Sequence, residues 1–223
     1  MPAILLTLCG LTAILESAAV YKGWRRLEYF TKPGAMVFLL AWLWVSGGAA
    51  GPLGWFELGV LFSLIGDVVL LLDEERSFIF GLVAFLLAHV AYIIGFNSPP
   101  PDFGALTFGV ALMVILSVLP LIRRFLLGLD QKGLNSLRLP VRVYATVISL
   151  MLFSALVTLF RADWQSNPAY LVSLGAVLFF TSDSLLAWGK FINPVRHGGL
   201  MVMVTYYLGQ ILLVAGALGQ FAK

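Results

Sequence analysis

The sequence predicts an all-α polytopic membrane protein of eight transmembrane helices, on three observations. Of 223 residues, 61% are hydrophobic and 11% charged, where a soluble domain carries about a quarter charged residues. The mean hydropathy is +0.98. The apolar residues fall into stretches of roughly 17 to 22, the length a helix rising 1.5 Å per residue needs to cross a hydrocarbon core.

The spans follow one another with short turns between them. The first covers about 2–20, and "TKPG" opens the second at 34–50. "SGGAAGPLG" leads into the third at 54–72, and the clustered charges "DEER" at 73–76 form a solvated turn before the fourth at 77–96. "NSPPPD" precedes the fifth at 103–121, with Pro120 in its last turn, and "QKGLNSLRLP" leads to the sixth at 141–160. "QSNP" and "INPVRHGG" open the seventh at 168–188 and the eighth at 199–220. These clusters are chain breakers. None is long enough to hold a second domain, so residues 1–223 form one transmembrane domain. Trp42, Trp44 and Trp55 are expected as interfacial anchors.

Basic residues set the orientation. Lys22, Arg25, Arg26, Lys32, Arg76, Arg123, Arg124, Lys132, Arg138, Arg142, Lys190 and Arg196 all fall to odd-numbered loops; Arg161 and Lys223 fall to the other side. The odd loops are therefore expected in the cytoplasm and both termini outside, in the cell (inner) membrane if the chain is bacterial. A net charge of +3 then reflects turns facing anionic head groups. Positive charge split among short turns argues against a nucleic-acid partner. A signal peptide is not expected, because no Lys or Arg precedes Glu16. The single cysteine, Cys9, allows neither an internal disulfide nor a cysteine-based metal cluster.

"LFSLIGDVVL" at 61–70 aligns with "VLFFTSDSLL" at 177–186. Each holds a small residue, an aspartate, two further residues and a leucine. The offset is four helices, which suggests two four-helix halves in parallel orientation.

Three membrane carboxylates lie at one expected depth. Asp67 precedes Asp73 by six residues, Glu16 precedes Lys22 by six, and Asp183 precedes Lys190 by seven. If spans 1, 3 and 7 are neighbours, these acids share a layer. Near mid-membrane an ionised acid costs about 2.5–3.5 kcal/mol, and two close carboxyls do not both ionise cheaply. One neutral and one ionised carboxyl make an acid–base pair. Pairing with Lys22 and Arg25 is the structural reading for Glu16.

His89 is the one histidine inside a span, with Tyr92 on its face three residues on. Position alone leaves it as a packing residue or a functional one. His197 belongs to a loop. With two histidines and no HExxH spacing, no metal or other cofactor is expected. Tyr144 lies low on span 6, while Thr205, Tyr206, Tyr207 and Gln210 lie too deep on span 8 for an interfacial belt. Lys32 either snorkels to the interface or contacts a phosphate.

Together "TKP" at 31–33, "LIGDVVL" at 64–70, "FIFGLVAFLLAHVAYIIGF" at 78–96, "VRVYATVISLM" at 141–151, "GAVLFFTSDSLLA" at 175–187 and "TYYLGQILL" at 205–213 resemble the YhhN-like family of multi-pass membrane proteins. Its characterised members are lysoplasmalogenases. The pieces keep the family's order and cover nearly the whole chain. Gly209 stands where the family usually has Ala. The resemblance implies a hydrolase of the vinyl ether bond of lysoplasmalogens, with a lysophospholipid substrate, membrane lipids around it, and Asp67 and Asp183 as the catalytic pair. Lys32, His89, Tyr92, Tyr144, Tyr206 and Gln210 match the family's other polar positions, as substrate-binding or supporting residues. The reading from another class is a proton-coupled transporter or lipid-binding protein, opposed by the lack of spans broken at their middle. A metal-dependent intramembrane hydrolase of amide lipids comes third.

Overall fold

In hydrocarbon every backbone N–H and C=O must be satisfied within the chain, so each apolar stretch closes into a helix. The computed structural model describes residues 1–48, 51–72, 75–101 and 104–222, and only the backbone of residues 75 and 76. The expectations for the "DEER" turn and for Lys223 fall outside the described side chains. Among the described residues the architecture is all-helical, with eight long α-helices. They are α1 (Pro2–Lys22), α2 (Arg25–Gly47), α3 (Leu53–Leu70), α4 (Glu75–Phe96), α5 (Ala105–Gln131), α6 (Arg138–Val157), α7 (Ser166–Phe191) and α8 (Gly198–Phe221). Seven of the eight, all but α2, are long and apolar enough to cross a membrane. The first two turns of α2 carry Arg25, Arg26, Glu28 and Lys32, which dilute its apolar character.

Two helix ends differ from the sequence expectation. The breaker "TKPG" lies inside α2, and only Gly23 and Trp24 separate it from α1. Gly23 takes a left-handed φ of 70°, and Trp24 donates back to the Ala19 carbonyl at 2.9 Å, a glycine-capped helix end. Pro33 is tolerated because Tyr29, whose carbonyl loses its helical donor, is exposed near the start of the helix. Likewise α5 runs ten residues past residue 121, so Pro120, Arg123 and Arg124 are helical. Val110, Val114, Val118, Phe125 and Leu129 keep a buried stripe at helical spacing across that proline, and the stripe's packing holds the helix through it.

Helix α8 is the hub: it packs on α1, α2, α3 and α7. Helix α4 bridges α3 and α6, and α5 lies against α6 and α7. Spans 1, 3 and 7 thus share α8 as a neighbour more than they touch one another. The α7–α8 contact depends on glycine. A Cβ on Gly175 would lie 2.8 Å from the Gly209 carbonyl oxygen, and one on Gly209 would lie 2.9 Å from that of Gly175. Small residues let backbones approach where lipid offers no hydrophobic drive. Gly175→Val should force the pair apart at a cost of about 1–3 kcal/mol, read as a drop in Tm in detergent. An unchanged Tm would contradict this close crossing.

At the opposite end from the α7–α8 turn, Arg161 ties α4 to the α6–α7 connection. Its guanidinium donates to the carbonyls of Phe96 (2.9 Å) and Pro99 (2.7 Å) and to both Asp163 oxygens (2.9 and 2.6 Å). The bonds from Arg161 hold the Asp163 carboxyl below its usual range. Its stabilising share is therefore present above the ordinary aspartate pKa and is lost as pH falls through the depressed value. Arg161→Met should lower Tm at neutral pH and flatten this acid-side loss, measured by thermal unfolding across pH.

Candidate functional site

Asp67 lies on α3 and is 1% exposed. Gly66 before it leaves room for the Phe85 ring, which a Cβ would meet at 2.7 Å. Asp67 Oδ2 accepts from the Tyr206 hydroxyl at 2.6 Å, and its Oδ1 lies 3.4 Å from Lys32 Nζ. Lys32 is itself buried. It does not snorkel to the interface: its ammonium turns into the bundle, beside Asp67. An ammonium and a phenol thus converge on one carboxylate where water is scarce.

Asp183 on α7 has the complementary surroundings. Its Oδ2 accepts a short hydrogen bond from Tyr144 on α6 and lies 3.4 Å from His89 Nε2 on α4. His89 Nε2 also lies 3.0 Å from the Tyr144 oxygen. The imidazole is fully buried, steadied by the Phe179 ring at 4.8 Å between centroids. Its Nδ1 has no partner among the described residues. Ser182 beside Asp183 donates to the Val202 carbonyl at 3.0 Å, fixing α7 on α8.

Both aspartates line one cavity, together with Lys32, Tyr144, Tyr206 and Lys190. The rest of the wall is almost entirely apolar. Counting the open mouth, its unfilled space is about 1010 Å³.

The other two residues singled out in the sequence lie behind this cavity. The Tyr92 hydroxyl donates to Gln210 Oε1 at 2.6 Å, and Gln210 Nε2 donates to Ser63 Oγ at 2.8 Å. All three are buried and none lines the cavity, so they brace α3, α4 and α8. Ser63 went unnoticed in the sequence, although it precedes Asp67 by four residues and shares its helix face.

Glu16 does not line the cavity. It is fully buried and accepts from Thr31 at 2.5 Å; it pairs with neither Lys22 nor Arg25, because Thr31 on the adjoining α2 reaches it first. Glu57, one turn into α3, is a second buried acid overlooked in the sequence. It faces a lipid-side groove with Trp44 and Trp55. No three His, Cys, Asp or Glu side chains converge among the described residues as a metal ion would require.

The arrangement defines a polytopic membrane protein with two carboxyls opening on one apolar cavity between its helices. A family model described as the YhhN family matches residues 27–217. The chain belongs to that family. It is 31% identical to lysoplasmalogenase TMEM86B of Homo sapiens over 81% of this chain and 70% of that protein. The mouse (Mus musculus) TMEM86B is also 31% identical, over 94% and 83% respectively. The lysoplasmalogenase of Mycobacterium tuberculosis is 29% identical over 79% and 67%. No solved structure matches the chain.

Proposed function

We propose that this protein is a lysoplasmalogenase, hydrolysing the vinyl ether of a lysoplasmalogen to a fatty aldehyde and glycerophosphoethanolamine or glycerophosphocholine. The observation that carries the reading is two aspartates with different partners facing one apolar cavity. The named relatives in mammals and mycobacteria agree with it.

Hydrolysis needs a proton on the β-carbon of the enol ether, a negative group for the oxocarbenium ion that results, and water. Asp183 is the proton donor in this scheme. The His89 imidazole, within 3.4 Å, reloads it, and Tyr144 fixes the acceptor oxygen. Asp67, paired with Lys32, is the carboxylate that faces the developing cation. It then takes a proton from the attacking water. The hemiacetal collapses, its hydroxyl proton passing to the leaving glyceryl oxygen, so one water is consumed and no redox partner is needed. A fixed charge in a water-poor cavity acts more strongly than one in water.

The same reading takes α2 as the eighth crossing, both termini outside, the basic loops in the cytoplasm and residues 1–223 as one domain. The matching positions of Asp67 on α3 and Asp183 on α7 support two parallel four-helix halves.

Purified protein incubated with a lysoplasmalogen and, separately, with its saturated alkyl-ether analogue should release aldehyde from the first alone. No aldehyde from folded protein that still binds the lipid would overturn the proposal.

A further inference from the structure

The lining of the cavity differs in chemistry to either side of its two acids. Toward the end of the bundle where α7 stops, the wall includes Lys190, whose Nζ lies 3.8 Å from the centre of the Phe78 ring. Lys132 reaches the same place, its Nζ donating to the Lys190 carbonyl at 2.8 Å. In the other direction the cavity shares Val118 and Ile122 with an apolar groove between α5 and α6. That groove continues past Ile115 and Ser149 as far as Ala111.

The depths agree. Helices α5 and α7 run the same way. Ile122 lies nine residues before the end of α5 at Gln131, and Asp183 eight before the end of α7 at Phe191. The groove therefore starts level with the acid and leads away from the lysines.

Resting on the lysoplasmalogenase reading, the geometry points to a single register for the substrate: its phosphate at Lys190, its vinyl ether between Asp183 and Asp67, and its alkenyl tail in the α5–α6 groove. Lys190 follows Asp183 by seven residues, about 10 Å along the helix. Seven bonds separate the β-carbon of the vinyl ether from phosphorus, about 9 Å when extended at ordinary bond lengths. The lysine side chain takes up the difference. From Ile122 to Ala111 the groove runs eleven residues, about 16 Å, enough for roughly a dozen extended methylenes. Lys132 adds a second positive charge at the phosphate end. The inner lysine, Lys32, lies beside Asp67, too close to the reacting carbon to hold the phosphate.

The test compares 1-alkenyl-glycerophosphoethanolamine with 1-alkenylglycerol, which lacks the phosphate, on the full-length protein in detergent. Wild type should prefer the phosphate-bearing substrate in kcat/KM. Lys190→Gln should shrink that preference about tenfold through KM, and Lys190→Arg should restore it. A preference unchanged by Lys190→Gln overturns the phosphate assignment. Ser149→Trp fills the groove, and should depress turnover of an 18-carbon alkenyl chain several-fold relative to an 8-carbon one. An unchanged ratio between the two chains overturns the tail assignment. Wild type that cleaves neither vinyl ether would instead sink the hydrolase reading itself, a result distinct from both.

Discussion

Asp183→Asn should leave a folded protein whose aldehyde release is reduced at least about a thousandfold, within the range that loss of a positioned general acid produces. Asparagine keeps the size of the side chain and an oxygen to accept the Tyr144 hydroxyl, so packing and Tm should move little. What it lacks is a transferable proton. His89→Gln should be milder, because it removes the reloading group and leaves the donor. Comparing Tm with single-turnover aldehyde release separates folding from chemistry. Near-normal turnover by Asp183→Asn would take this residue out of the mechanism.

Lys32→Met should have the largest effect on stability. It leaves the Asp67 carboxylate, 1% exposed, with the Tyr206 hydroxyl but without its ammonium. Breaking a buried pair by removing one partner costs on the order of 3–5 kcal/mol. Asp67→Asn should also destabilise, by stranding the Lys32 ammonium, and should abolish turnover. The double variant Lys32→Met with Asp67→Asn removes both charges, and so should recover much of the lost stability while remaining inactive. Thermal unfolding of the four proteins, read as a double-mutant cycle, gives the coupling. Additive losses would mean that the pair contributes nothing to folding. Recovery of activity in the double variant would mean that Asp67 is not the carboxylate facing the cation.

The sequence made the two aspartates legible because each stands in a long apolar stretch after a small residue, where few structural demands compete. It also made His89 legible as the one histidine inside a span, Tyr144 as a polar residue low on span 6, and Tyr206 as one too deep for an interfacial belt. Lys32 was legible as a residue of interest but not in its role. "TKPG" has the composition of a turn, but Pro33 is tolerated near the start of α2, and the packing of α2 against α1 and α3 aims the ammonium inward. Pro120 misled in the same way: a tertiary stripe from Val110 to Leu129 outweighs a local breaker. Tyr92 and Gln210 illustrate a different limit. Helical spacing identifies a shared face, but whether that face meets a cavity or a neighbouring helix depends on α8, which is distant in the sequence. Glu16 failed for that reason too, since its partner Thr31 belongs to a stretch that reads as a loop.

The order in which the partners of Asp67 are made has a consequence for biosynthesis. Tyr206 follows Asp67 by 139 residues, so α3 enters the membrane long before α8 exists. Lys32 precedes Asp67 and has already been synthesised when the carboxylate arrives. In the growing chain the ion pair can thus shelter the acid first, with the phenol arriving last. Because α8 also brings the contacts to α1, α2, α3 and α7, a ribosome-bound chain that stops short of Tyr206 has the charge already neutralised while the bundle still awaits its final helix.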